Sequence, residues 1–178
     1  KSEMELLASI AERHGLFIIS DETYRDFAYD GTTVTSALSL TAVQDRVIVV
    51  DSVSKRYSAC GARVGFLVSR NAEINQAVMR MAFARLCPPT VDQMAAVAAY
   101  STPASYFEEV RAEYVRRRNV LVDGLSKIRG VRTYRPEGAF YAMATLPVSD
   151  ADAFAEWLLT DFSSHGETVM LAPGSGFY

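Results

Sequence analysis

A chain of 178 residues can build one ordinary domain, or one and a half small ones, and its 49% hydrophobic content is too high for a disordered segment. The net charge is -3 with acids and bases interspersed, which argues against a nucleic acid as partner, because phosphate binding asks for a basic surface. No apolar run approaches the roughly 20 residues of a bilayer-spanning helix, so neither a membrane partner nor a secretory leader is expected.

Lys1 to His14 read as a helix. Ser2 and Glu5 have capping-box spacing, Leu6, Leu7, Ile10 and Ala11 form an apolar stripe, and Gly15 is a natural stop. Leu16–Ile19, Val47–Val50 and Val64–Val68 are short continuous apolar runs that suit strands buried on both faces. The connection from Val53 to Val64 is shorter than the dozen or so residues of a parallel crossover. The third strand is therefore predicted antiparallel to the second, in a mixed sheet.

Asn71 caps a helix carrying Ile74, Ala77, Val78 and Met81, and Thr90 with Gln93 makes a capping box for the next. Pro88-Pro89 separates the two. A long helix follows from Ser105 to Ile128, ended by Gly130, with Arg116-Arg117-Arg118 on its solvated face. Val131–Tyr134 and Ala139–Leu146 read as strands joined by the turn Arg135–Gly138, Ser149 with Asp152 opens a helix, and Val169–Ala172 is a last strand. The pattern gives an α/β region over residues 1–104 and a small α+β region over residues 105–178. Cys60 and Cys87 form neither a disulfide framework nor a zinc cluster, and are expected as free thiols in a reducing cytoplasm. His14 and His165 each stand alone, as solvated or structural histidines do.

In an open α/β sheet, ligands bind at the carboxyl ends of strands. Asp21 and Tyr24 follow the first strand; Ser52, Ser54 and Lys55 follow the second; Arg63 precedes the third. A partly desolvated lysine is a candidate Schiff-base amine. Two hydroxyls and a forked guanidinium make a phosphate cradle. A carboxylate facing a pyridine nitrogen keeps it protonated and makes the ring an electron sink. Singly, each residue has a bland interpretation as a cap, a chance string or a surface ion pair. Together they fit pyridoxal 5'-phosphate (PLP) better than other common cofactors, and no metal is called for.

These strings also carry a resemblance. Ser20-Asp21-Glu22-Thr23-Tyr24-Arg25-Asp26-Phe27 resembles the S-D-E-V-Y-R-x-F segment of class I aminotransferases of PLP fold type I. Ser52-Val53-Ser54-Lys55 followed by Gly61-Ala62-Arg63-Val64-Gly65 resembles that family's S-x-S-K…G-x-R-x-G signature, in the family's order and near its spacing. Gly138-Ala139-Phe140-Tyr141 and Pro173-Gly174-Ser175 resemble two further family segments. The chain departs from the family at Ala62, where many relatives carry Trp, and over Lys55–Gly61, which differs from the commoner S-K-T-F-A-M-T-G form.

The resemblance implies the C-terminal part of the fold type I large domain, a mixed sheet with helices, plus a small C-terminal α+β domain. It implies a dimeric, cytoplasmic aminotransferase of the aspartate type, moving an amino group between an amino acid and a 2-oxo acid through a lysine Schiff base. Lys55 is then the cofactor lysine and proton shuttle, Asp21 the partner of the pyridinium nitrogen and Tyr24 that of the ring oxygen. Ser52, Ser54 and Arg63 hold the phosphate. Other fold type I reactions (C–S lyase, decarboxylase or ACC-synthase-like) and an aminotransferase-like effector domain of a transcription regulator stay open. By the same resemblance the chain is expected to be a fragment, inactive alone. The Asn that bonds the ring oxygen, the Gly-rich phosphate loop, the stacking aromatic and the carboxylate-binding Arg would lie outside it.

Overall fold

Helix α1 (Ser2–His14) ends where Gly15 takes a φ of +64° and the Leu16 amide donates to Ala11 O at 2.9 Å. That bond commits Leu16 to the helix end, so strand β1 (Ile18–Asp21) starts two residues later than the apolar run alone suggests. The computed structural model describes residues 2–177, which leaves Lys1 of the expected helix outside the described residues. The chain forms two compact units, one of Lys1–Val115 with Glu137–Phe140 and one of Arg116–Pro136 with Tyr141–Tyr178.

In the first unit β1 pairs in parallel with β2 (Val47–Ser52), from Ile18 opposite Val47 to Asp21 opposite Val50. β2 pairs antiparallel with β3 (Gly65–Ser69), from Ile48 opposite Ser69 to Ser52 opposite Gly65, as the short connection requires. The sheet order is β1-β2-β3. Two 3-10 segments, Ala37–Ser39 and Thr41–Arg46, carry the crossover from β1 to β2. Ala8, Ala37, Leu40, Val43, Val47 and Val49 form the core beneath one sheet face.

The expectation of strands buried on both faces does not hold, since Ile19 is 71% exposed and Phe66, Leu67 and Val68 are exposed as well. The core face of α1 also differs from the expected stripe. Ala8 and Ala11 are buried, whereas Leu6, Leu7 and Ile10 are exposed. Small side chains at this contact let the helix lie close to the 3-10 crossover, and the larger ones point away from it.

Between β2 and β3 lies a single helical turn, α2 (Val53–Arg56). Its Val53 packs with Val64 of the return segment and Ala96 of helix α4 (Thr90–Ala99). Helix α3 (Ala72–Arg85) is capped by Asn71, whose Oδ1 accepts from the Glu73 and Ile74 amides at 3.0 and 3.1 Å. The capping box expected at Thr90 is not formed. Pro89 is the cap residue, its carbonyl accepts the Gln93 amide, and the Gln93 side chain donates to Pro88 O at 2.7 Å.

Helix α5 (Ala104–Leu125) begins in the first unit and runs into the second. Arg116 and Arg117 are exposed, but Arg118 is buried, which corrects the expectation of a fully solvated basic run. Arg118 donates to Pro136 O at 3.0 Å and to Asn119 Oδ1 at 3.2 Å. These neutral acceptors replace part of the water that a buried guanidinium loses.

In the second unit β4 (Arg132–Thr133) and β5 (Ala144–Thr145) form a minimal antiparallel pair. The longer hairpin expected around Arg135–Gly138 is absent because Glu137–Phe140 belongs to the first unit. There Gly138 bridges Ala28, Ala139 N donates to Phe27 O at 2.8 Å and Tyr29 N donates to Glu137 O at 2.9 Å. A Cβ on Gly138 would lie 3.1 Å from Phe27 O, so this approach requires glycine or a shifted backbone. Helix α6 (Ala151–Thr160) is capped by Asp150 rather than Ser149. Residues 169–172 are not a strand, and the described chain closes with a 3-10 turn at Gly174–Phe177. No helix among the described residues is long and apolar enough to cross a membrane.

Candidate active site

The site is built from the carboxyl ends of β1 and β2. A single helical turn such as α2 has too few internal hydrogen bonds to stand alone, so its neighbours must fix it. Ser52 caps it, its Oγ accepting from the Ser54 amide at 3.2 Å. Val53 N donates to Val64 O at 3.2 Å, and the buried Val53 side chain pins the turn from below. Lys55, third in the turn, is half-buried, and its Nζ lies 5.8 Å from the centroid of the Phe140 ring.

Asp21 ends β1 on the strand next to Ser52, at the same edge of the sheet. Its Oδ1 accepts from Thr23 Oγ1 at 2.5 Å and from Thr23 N at 3.0 Å. The Thr23 hydroxyl, then the Thr23 amide, hold the Asp21 carboxyl below its ordinary pKa, with slight burial working against them. These bonds extend the anion to lower pH at the exposed sheet edge.

Glu22, a residue the sequence did not single out, anchors the turn that follows. It is 6% exposed, and its Oε1 accepts from Ala37 N and Ser36 Oγ, both at 2.9 Å. Arg25 Nη1 stands 3.5 Å from Glu22 Oε2. A buried carboxylate bonded in this way fixes where β1 hands over to the crossover.

Tyr24 sits in that turn and meets Phe140 edge-on, ring centroids 5.0 Å apart. Phe140 also stacks on Tyr114 at 5.1 Å and lies edge-on to Phe27 at 5.2 Å. Tyr24 and Lys55, predicted to serve one site, thus contact the same ring. The Gly138–Tyr141 motif was legible, but nothing local in it reveals that its backbone pairs with Phe27–Tyr29.

Arg63 lies two residues before Gly65, the residue opposite Ser52. Its backbone is left-handed, with φ of +54°, and its Nη1 donates to Cys60 O at 2.9 Å. Arg56 is more enclosed. Its Nε lies 2.5 Å from Asp26 Oδ2 and its Nη2 lies 2.9 Å from Asp51 Oδ2. Burial pulls the Arg56 pKa down, but the two carboxylates outweigh it and hold the guanidinium above its ordinary value. Burial raises the neighbouring Tyr57 hydroxyl, against the opposing pull of Arg56.

A family profile described as aminotransferase class I and II matches residues 1–174. The chain is 33% identical to aromatic-amino-acid aminotransferase 2 of Thermococcus litoralis, covering 99% of this chain and 45% of that protein. It is also 33% identical to an aspartate aminotransferase of Bacillus sp. strain YM-2, over 99% of this chain and 46% of that protein. Among solved structures it superposes on an aspartate aminotransferase of Thermotoga maritima with a TM-score of 0.85 and 33% identity, covering 99% of this chain and 44% of that one. The chain thus spans a little under half the length of these relatives. Its mixed α/β architecture is that of aspartate aminotransferases, PLP fold type I, as the motifs implied. With a match over nearly its whole length and a shared fold, this chain belongs to the class I and II aminotransferase family.

Proposed function

We propose that this chain is the lysine-bearing part of a PLP-dependent aminotransferase that exchanges an amino group between an amino acid, aspartate by resemblance, and a 2-oxo acid. The observation that carries the proposal is Lys55 in a capped turn at the end of β2, with Asp21 at the end of the parallel neighbour β1. The donor set suits PLP: one amine, one carboxylate held ionised, two hydroxyls and a guanidinium. When bound, PLP would supply an electron sink for negative charge developing at the substrate Cα.

The chain's own residues then have separable tasks. Asp21, kept anionic by Thr23, would hold the proton on the pyridine nitrogen. Tyr24 would donate its hydroxyl to the ring oxygen. Ser52, Ser54 and Arg63 would bind the phosphate, the guanidinium matching two oxygens at once. Lys55 Nζ would take the proton from the substrate Cα, a general-base role that needs the amine within hydrogen-bond reach. We assign residues 1–104 to the large cofactor-binding domain and residues 105–178 to the small domain, within a homodimer in the cytoplasm. Two exposed free cysteines, Cys60 and Cys87, suit a reducing compartment.

The test is a half-reaction. Full-length protein loaded with PLP is mixed with aspartate, and the cofactor absorbance is followed while the oxo acid is quantified. One equivalent of oxo acid per site, reversed by 2-oxoglutarate, is the expected result. Release of ammonia or carbon dioxide instead would overturn the aminotransferase assignment.

A further inference from the structure

Arg56 follows the proposed cofactor lysine, in the stretch where this chain departs from the commoner family string. Its side chain is 13% exposed and bridges two carboxylates on different segments. Asp26 lies in the turn after β1, the turn that carries Tyr24. Asp51 lies near the end of β2, where its other oxygen accepts the Ser52 amide at 2.7 Å. Ser52 is the cap of the turn that carries Lys55. The planar guanidinium presents Nε to one aspartate and Nη2 to the other. A lysine ammonium has no such fork.

We propose that Arg56 is a positioning residue that locks the Tyr24 turn to the Lys55 turn and so sets the alignment of both side chains on the cofactor. The inference rests on the PLP-site proposal above.

Two features argue for this role over simple surface pairing. First, the sheet ladder already fixes Asp21, opposite Val50, and Glu22 N, which donates to Val50 O at 2.9 Å. It does not reach Tyr24 or Asp26. Second, α2 is too short to orient Lys55 by its own hydrogen bonds. The Arg56 bridge therefore closes the gap between the two turns. Around the guanidinium stand Asp26, Asp51, Tyr57 and Tyr100, so removing Arg56 leaves two neighbouring carboxylates without their shared cation.

The test uses full-length holoenzyme and compares wild type, Arg56→Met, Arg56→Lys, Asp26→Asn, Tyr24→Phe and the double variant Tyr24→Phe with Arg56→Met. Two readouts are taken. Borohydride reduction maps the lysine that carries PLP. A pH titration of the bound cofactor's absorbance gives a midpoint. A hydrogen bond to the ring oxygen stabilises its anionic form, so losing Tyr24 alignment raises the midpoint, by about 1 pH unit.

Arg56→Met removes a positive charge and Asp26→Asn removes a negative one. A positioning role moves the midpoint upward in both, gives Arg56→Lys a partial shift, and adds nothing to the shift already present in Tyr24→Phe. Shifts of opposite sign would reduce Arg56 to a local charge and overturn the proposal. An unchanged midpoint with only a lower unfolding temperature would overturn it too, leaving a structural ion pair. If Arg56→Met does not fold, Asp26→Asn and Arg56→Lys decide the same question. Wild-type label on a lysine other than Lys55 would instead overturn the underlying site assignment.

Discussion

Lys55 holds its Nζ 5.8 Å from the centroid of the Phe140 ring, across a loop closure that brings Glu137–Phe140 back onto the strand-end turn at Phe27–Tyr29. Phe140 is the hub of the local aromatic cluster, touching Tyr24, Phe27 and Tyr114. Phe140→Ala is expected to lower the unfolding free energy by about 2 kcal/mol, less than a fully buried Phe because the ring is 36% exposed. Urea unfolding of the full-length protein measures this. A loss below about 0.5 kcal/mol would show that the cluster does not hold the segment in place.

Asp21→Asn is expected to leave PLP bound while cutting transamination by about 100-fold or more, because an amide cannot keep the pyridine nitrogen charged. Near wild-type turnover would remove Asp21 from the ring nitrogen.

The pH behaviour of Asp21 follows from Thr23. A carboxylate whose pKa is lowered by folding contributes stability above its unfolded pKa, and loses it as pH falls through the folded value. Thr23→Val deletes the strongest cause of the lowering, so the Asp21 carboxyl should titrate at higher pH. Asp21 should then contribute less stability at neutral pH, and less of it is lost as the pH falls. Carbon NMR of the Asp21 carboxyl in both proteins is the measurement. An unchanged midpoint would mean that the Thr23 hydroxyl does not hold the anion.

Arg63 adopts a left-handed backbone that costs a non-glycine residue about 1–2 kcal/mol, and it is exposed. Strain of this kind clusters at functional sites. Arg63→Gly removes the strain but adds backbone freedom to the unfolded chain. Stability is therefore expected within about 1 kcal/mol of wild type, while PLP affinity falls about tenfold or more. Unfolding curves and cofactor titration separate the two. Unchanged affinity would take Arg63 out of the phosphate cradle.

Much of the fold was legible because its signals are local. The three strands of the first sheet, the Gly15 stop, the Asn71 cap and the short β2–β3 connection each depend on neighbouring residues, and each stands in the structure. Two of the failures come from partners distant in sequence, and one from a competing local cap. Glu137–Phe140 leaves its expected hairpin for a partner far away in sequence. Thr90 loses its capping role to Pro89, whose carbonyl takes the Gln93 amide. Arg118, read as solvated, is buried against Pro136 O.

At the site, the residue types that carry chemistry were visible in the strings around Asp21 and Lys55. The residues that hold those strings in place were not. Glu22 reaches Ser36 and Ala37, and Arg56 reaches Asp26, through contacts that no periodicity encodes.

The central claim is that Lys55 is the lysine that bears the cofactor, and covalent mapping tests it most directly. Full-length protein is loaded with PLP, reduced with borohydride, digested and sequenced by mass spectrometry. A single pyridoxyl group on Lys55, absent from a Lys55→Ala variant, is the expected result. A stoichiometric label on any other lysine, or none on Lys55, would contradict it.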